Sequence, residues 1–265
     1  MDHIQPITRE RHARLRWRRF QSYSFAATTA VAPLTAAEVM KSALALPLAF
    51  VERDGRWTLA AVLGILPGQN LYVNSNGVWV VDYVPSVFRA YPFCIRQNEA
   101  MQPVLCVDEA SGLIVEGGER ETFFDENGDL SESVQQVSSF LHETSRSEAF
   151  LAVICNQLYA AGIIEPWPIA IYGSDGTHQV AGLSRINEAA LSTLDDATFS
   201  LLRRAGVLGV AYAQLLSMGN LADLGKLAQA HAEAEAAARA KAEVKPMMML
   251  PDDSTIDWDW SKVGR

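Results

Sequence analysis

Leu48-Ala49-Phe50-Val51-Glu52-Arg53-Asp54-Gly55-Arg56-Trp57-Thr58-Leu59-Ala60-Ala61-Val62 decides the fold class. Two apolar runs, 48–51 and 57–62, flank Asp54-Gly55, a pair that supplies the positive φ angles of a tight hairpin turn at low steric cost. The stretch therefore predicts a β-hairpin. The same punctuation recurs outward from it. Leu71-Tyr72-Val73 and Val78-Trp79-Val80-Val81 flank Asn76-Gly77, and Ile169-Ala170-Ile171-Tyr172 and His178-Gln179-Val180 flank Asp175-Gly176. Phe93-Cys94-Ile95 and Val104-Leu105-Cys106-Val107 read as a further pair joined by a longer polar loop. Strands linked in this way pair antiparallel.

Helical spacing fills the intervals. From about Ser131 to Ala161, residues Val134, Val137, Leu141, Leu151, Ile154 and Leu158 recur at steps of three, four or their multiples, and Gly162 follows as a stop. Shorter helices are expected from Asn187, from Asp195 to Gly206 with Phe199, Leu201 and Leu202 as the apolar face, and through Tyr212, Leu215 and Leu216. The fold class is thus α+β: an antiparallel sheet of several hairpins packed with a long central helix and a C-terminal helical region. One domain over residues 23–227 accommodates it.

The ends read differently. Residues 1–30 hold six arginines (Arg9, Arg11, Arg14, Arg16, Arg18 and Arg19) against Asp2 and Glu10, a local +4 on a chain of net charge −9. Residues 1–22 are expected to form a flexible basic leader. Arg18-Arg19-Phe20 and Ala30-Val31-Ala32 imitate the flanks of a signal peptide, but the stretch between them is too polar for an h-region, which favours a cytoplasmic or virion-associated setting over classical secretion. Leu221, Leu224 and Leu227 open a last helix that continues through residues 228–245 as an alanine-rich extension without a large apolar face. Residues 246–265 form an acidic tail in which Met247, Met248, Met249, Leu250, Trp258 and Trp260 are the candidate partner-docking residues. A protein partner or self-association through this C-terminal extension is the expectation.

A composition 49% hydrophobic and 20% charged can bury a core. The acidic balance excludes general nucleic-acid binding, leaving only weak phosphate contact by the basic arm. No stretch approaches the roughly 20 apolar residues of a bilayer span. Cys94, Cys106 and Cys155 form no CxxC pair; buried thiols are expected, with a Cys94–Cys106 bridge across a hairpin as the alternative.

Chemical motifs are few. His142-Glu143 lacks the second histidine of a zinc-binding HExxH helix, and no GxSxG, GxxxxGK[ST] or strand-linked GxGxxG is present. Asp125-Glu126-Asn127-Gly128-Asp129-Leu130-Ser131 alternates oxygen side chains like a calcium loop, but its glycine is misplaced and position twelve is Gln136, so it reads as a turn into the long helix. No catalytic, cofactor or metal residue is assigned. Asp108, Glu109 and His178 are retained for an enzyme alternative, a small-molecule or peptide-processing activity in a cleft between sheet and helix. Trp57, Trp79 and Trp167 are expected in the core, one of them optionally as a stacking platform.

An ordered series of short words carries a family resemblance. Leu46-Pro47-Leu48-Ala49-Phe50-Val51, Pro67-Gly68-Gln69-Asn70-Leu71-Tyr72-Val73, Tyr83-Val84-Pro85, Arg89-Ala90-Tyr91-Pro92-Phe93, Leu105-Cys106-Val107-Asp108 and Phe124-Asp125-Glu126-Asn127-Gly128 follow one another. Gly182-Leu183, Ile186-Asn187 and Ala213-Gln214-Leu215-Leu216-Ser217 continue it. The chain resembles the bacterial SapC family over about residues 23–227. That family takes its name from an association with surface-layer genes, and the resemblance supplies no catalytic residues. The functional expectation is a non-enzymatic structural or interaction protein, contributing to a surface-layer-like or virion-like assembly through its terminal extensions. The enzyme and a metabolite-binding module with an aromatic pocket are the alternatives.

Overall fold

The computed structural model describes residues 3–118, 120–173 and 176–243. The Arg-rich segment forms β1 (Ile4–Pro6), a single turn α1 (Arg9–His12) and β2 (Leu15–Trp17). Next come β3 (Val31–Pro33), α2 (Val39–Ala43), and the hairpin β4 (Leu48–Arg53) and β5 (Arg56–Val62). The pair β6 (Phe93–Gln97) and β7 (Pro103–Asp108) is followed by β8 (Ile114–Glu116), β9 (Glu121–Thr122) and the long α3 (Glu132–Ala160). The C-terminal part holds β10 (Ile164–Pro166), β11 (Ile169–Gly173), β12 (Gly176–Val180), β13 (Ser184–Ile186), α4 (Glu188–Ser192), α5 (Asp196–Arg204), α6 (Leu208–Ser217) and α7 (Leu221–Glu243). The architecture is α+β.

The hairpin around Asp54-Gly55 forms with both turn residues at positive φ, 51° and 74°, and the register runs from Leu48 opposite Ala61 to Arg53 opposite Arg56. It lies within a five-stranded antiparallel sheet of order β10-β13-β4-β5-β3. Phe50, Leu48, Leu59 and Leu63 are fully buried there, together with Leu151, Ile154, Cys155 and Leu158 from the second half of α3. The contact between β13 and β4 is a single backbone pairing, Ser184 with Phe50. Buried Gln214 of α6 extends the connection: its carboxamide accepts from Ile186 N at 2.9 Å and donates to Leu48 O at 3.1 Å. Both polar ends of a fully buried amide are thereby satisfied.

A second, smaller layer is built from two three-stranded sheets, β1-β7-β6 and β8-β2-β9. Its core is Trp17, Phe93, Val107, Phe123 and Val134. Here the structure corrects the expectation of a flexible leader. Ile4–Pro6 pair with Cys106–Asp108, Leu15–Trp17 pair with both β8 and β9, and Trp17 and His12 are buried. Trp17 of β2 turns inward, Arg16 is half-buried, and Arg14 and Arg18 on either side of the strand are exposed, so the positive charge decorates an ordered strand and its flanks. Ala32, in the imitation cleavage site, is fully buried in the edge strand β3.

The hairpin expected around Asn76-Gly77 forms in reduced extent. Only one isolated bridge forms, Val73 with Trp79. The Asn74 side chain accepts from Asn76 N and Val78 N, both at 3.0 Å, and the Gly77 carbonyl is taken by Tyr23 N at 2.7 Å. The arms do bond across the turn, Asn74 N to Val78 O at 3.0 Å and Val80 N to Tyr72 O at 2.9 Å, and the turn also rests on the 22–24 segment, whose serine hydroxyls occupy the space a Cβ at position 77 would need.

The 29 residues of α3 span about 43 Å at 1.5 Å each and serve both layers: Val134, Val137 and Leu141 face the small core, Leu151 to Leu158 the large one. Ser131 caps its start and Gly162, at φ 71°, follows its end. Asn187 and Asp195 cap α4 and α5 through their side chains as expected. Of the anticipated α5 face, Leu202 is buried while Leu201 is exposed.

Two compact units divide at Ala228 and Gln229. Within the first, Leu224 anchors the start of α7 in the large core. In the second, the residues of α7 whose side chains are described are exposed, His231 alone being half-buried. Among the described residues no single helix is long and apolar enough to cross a membrane.

Candidate functional site

The two layers leave a cavity of about 500 Å³ beside the first turns of α3. Its apolar lining converges from four parts of the chain. Strand β2 supplies Trp17, β6 supplies Phe93, the segment after β2 supplies Phe20 and Tyr23, and α3 supplies Val137 and Phe140. Tyr91, preceding β6, completes the wall. Trp17 and Phe93 meet edge to face with centroids 4.8 Å apart, and Phe20 sets its edge against Tyr23 and Phe25 at 5.2 and 5.1 Å. Tyr91 stacks flat on Phe25 at 3.9 Å. Interlocked rings of this kind hold their positions without a ligand. The volume falls in the range of sites for small organic molecules, and an aromatic lining with a few convergent polar groups is their usual chemistry.

The polar groups are Arg19 and Arg89 at the rim and Ser133 and Gln136 on α3. Arg19 donates through Nε to Glu121 at 2.9 Å. Arg89 is pinned over the Tyr83 ring at 5.2 Å and donates twice to the Val84 carbonyl, at 3.1 and 2.7 Å. Burial raises the Tyr91 phenol above its ordinary value, helped by the Asp108 carboxylate 3.4 Å from its hydroxyl. It stays a neutral donor at physiological pH.

A buried hub holds the Arg89 wall in place. Glu38, 4% exposed, accepts four hydrogen bonds: from Thr35 N at 2.9 Å, Ser86 N at 2.8 Å, Ser86 Oγ at 2.7 Å and the Tyr83 hydroxyl at 2.8 Å. A carboxylate is an acceptor only, and here each contact comes from a donor. Burial first, and then Glu38, pushes the Tyr83 hydroxyl up to about 12. The hub fastens the start of α2 to the 83–86 segment, from which Arg89 and Tyr91 emerge. It lines a neighbouring pocket of about 210 Å³ that shares Arg89 and Phe140 with the main cavity.

The residues retained for catalysis do not assemble into such a site. Asp108 caps a short turn by accepting from Ala110 N at 3.0 Å. Glu109 is engaged by both Nε and Nη2 of Arg11, which holds its carboxyl below the usual range. His178 lies on β12 in a separate two-stranded sheet with β11, its side chain outside the described residues, as is Asp175 of the expected turn. In the calcium-like loop, Asp125 accepts from Asn127 N and Asp129 N, both at 2.9 Å, and Phe124 bridges to Leu130: a turn before α3. No metal-ligating cluster occurs among the described residues. Cys94 stands opposite Cys106 in the β6–β7 register, and Cys155 is buried, its thiol pushed up to about 12 by desolvation. Trp79 and Trp167 are core residues, whereas Trp57 is half-buried and stacks on Tyr159 at 4.8 Å. Met247, Met248, Met249, Leu250, Trp258 and Trp260 lie outside the described residues.

Sequence reasoning missed the cavity because its walls are remote in the chain: Trp17 and Phe140 approach only through the fold. One signal was present. Arg18-Arg19-Phe20-Gln21-Ser22-Tyr23 and Arg89-Ala90-Tyr91 each set arginine beside aromatic residues, a pattern visible once the basic segment is read as a strand and its exit.

Comparison with curated proteins and with solved structures finds no match. A family model, described as SapC, matches residues 7–224. The match begins within the Arg-rich segment and takes in both layers and every wall of the cavity. The chain belongs to the SapC family.

Proposed function

We propose that the protein is a non-enzymatic binding module that holds a small organic ligand in the cavity between β2, β6 and the start of α3. The observation that carries this reading is the preformed aromatic enclosure of about 500 Å³, its rings fixed by one another and its rim fixed through Glu38. Its polar lining of arginines, neutral hydroxyls and an amide suits recognition of a ligand.

The test uses Nile red, a neutral planar dye whose emission rises in apolar surroundings. The native chain is expected to give a saturable 1:1 titration. Gln136→Trp, which fills the cavity from an exposed position on α3, is expected to abolish it. Equal titrations of native and filled chains would overturn the reading.

A second reading rests on the α7 segment beyond Ala228, whose described side chains, mostly exposed alanine and glutamate, form no apolar face. A helix of that composition suits a partner or a second copy, in a surface-layer-like or virion-like assembly. Light scattering on a size-exclusion column, with the full chain against one ending at Leu227, is expected to show loss of assembly on truncation. Identical masses per chain and identical partner profiles would remove this reading.

A further inference from the structure

The cavity's surroundings carry a charge opposite to that of the protein. Two smaller depressions share residues with it, of about 290 and 310 Å³. The first shares Arg19, Phe20 and Tyr91 with the cavity, and the second shares Trp17 and Arg19. Both are bordered by Arg18, and the second also by Arg120. On a chain of net charge −9, Arg19 and Arg89 line the aromatic site and Arg18 and Arg120 line the depressions that share residues with it, with Glu121 as the one acid among the described residues lining these three spaces.

The arginines are held in ways that leave donors for a ligand. Glu121 takes Nε of Arg19, so the two terminal nitrogens remain to meet an incoming anion. Val84 O takes Nε and Nη2 of Arg89, leaving Nη1. Arg18 is tied by one bond, Nη2 to the Gly112 carbonyl at 3.2 Å. A guanidinium already fixed by one partner loses less freedom when it meets the next, so the rim is preorganised. Its forked donors match a carboxylate.

We infer that the ligand is an aromatic carboxylate: a flat ring system seated among Trp17, Phe20, Tyr91 and Phe140, with its anionic group at Arg19. The inference rests on the binding reading above and adds the ligand's charge and the residue that reads it. Three probes with one indole ring separate the two. Indole-3-acetate carries the anion, tryptophol (indole-3-ethanol) is its neutral counterpart, and tryptamine is its cation. Calorimetric titration of the full chain at low salt is expected to rank them in that order, with the acetate about tenfold tighter than tryptophol, the factor one charge-assisted hydrogen bond supplies.

Arg19→Gln is expected to shrink the acetate-to-tryptophol ratio to within about twofold, and Arg19→Lys, which keeps the charge but not the fork, to an intermediate value. Raising the salt should narrow the ratio in the native chain. Acetate and tryptophol binding equally would overturn the inference while leaving the binding module intact. A preference that survives Arg19→Gln unchanged would overturn the assignment to Arg19. Failure of all three probes, together with failure of Nile red, would remove the site itself.

Discussion

The large layer around β4 and β5 and the small layer around β2, β6 and β7 share α3 but are stabilised differently. In the large layer the sheet and helices α2 to α7 bury mostly aliphatic residues on a front that runs from Ala26 to Leu224. In the small layer five buried residues, three of them aromatic, form the core, and polar ties surround it: Arg11 with Glu109, Arg19 with Glu121, Arg9 with Asp129. Exposed ion pairs of that kind contribute little each. The small layer therefore depends on its rings, and the ligand cavity opens beside them. The less heavily buried layer provides most of the recognition surface, as expected if binding elements come from the regions that open most readily.

The sharpest way to break this comparison is to remove one large ring from each layer. Phe50 and Trp17 are both nearly inaccessible, at 0% and 3%, and truncation to alanine should cost about 3–5 kcal/mol in either place. The consequences should differ. Phe50→Ala is expected to lower the stability of the whole body. Trp17→Ala should release β1, β2, β6 and β7 at lower urea than the β4–β5 hairpin, read by hydrogen exchange of peptides from each layer. Simultaneous loss of protection in both variants would make the two layers one cooperative unit.

What could be read beforehand divides along the same line. Asp54-Gly55, the cap residues Asn187 and Asp195, and the span from Ser131 to Gly162 are local signals, each acting on backbone within a few residues. They located the hairpin and helices of the large layer. The small layer is assembled from segments about a hundred residues apart, and β2 hides one buried tryptophan within the arginine-rich stretch. Net charge over a window says nothing about alternation, and along 14–18 alternation was the informative property: Arg14 and Arg18 are exposed, Trp17 is buried. The Asn76-Gly77 turn shows the converse. Its arms bond to each other as the local chemistry implies, but the Gly77 carbonyl is taken by Tyr23, a partner no local pattern identifies. Glu38 was equally silent, since three of its four donors belong to the 83–86 segment and become visible only when that segment meets α2.

A smaller effect, acidity, sharpens the comparison from the other side, because the small layer contains a buried histidine. His12 is fully inaccessible, its ring 5.1 Å from Phe123, with Nδ1 3.3 Å from both the amide and carbonyl of Thr8 and Nε2 3.3 Å from Glu109. Burial lowers its pKa from 6.5, against the pull of the Thr8 carbonyl and Glu109. The neutral ring is thus favoured in the folded state. Its contribution is complete above pH 6.5 and is lost as pH falls through the lowered folded value. Glu109 is held below its ordinary 4.5, chiefly by the Arg11 hydrogen bond, so its contribution disappears only at lower pH, as the carboxyl protonates. Acid should therefore weaken the small layer in two phases. Urea midpoints for peptides of β1–β2, relative to those of β4–β5, are expected to start falling as pH drops below 6.5, and to fall again below 4.5. His12→Gln, which keeps a polar group for Thr8, should remove the first phase and leave the second. Parallel decline of both layers, with His12→Gln following the native chain, would show that the acid response belongs to the whole body and that His12 does not distinguish its two halves.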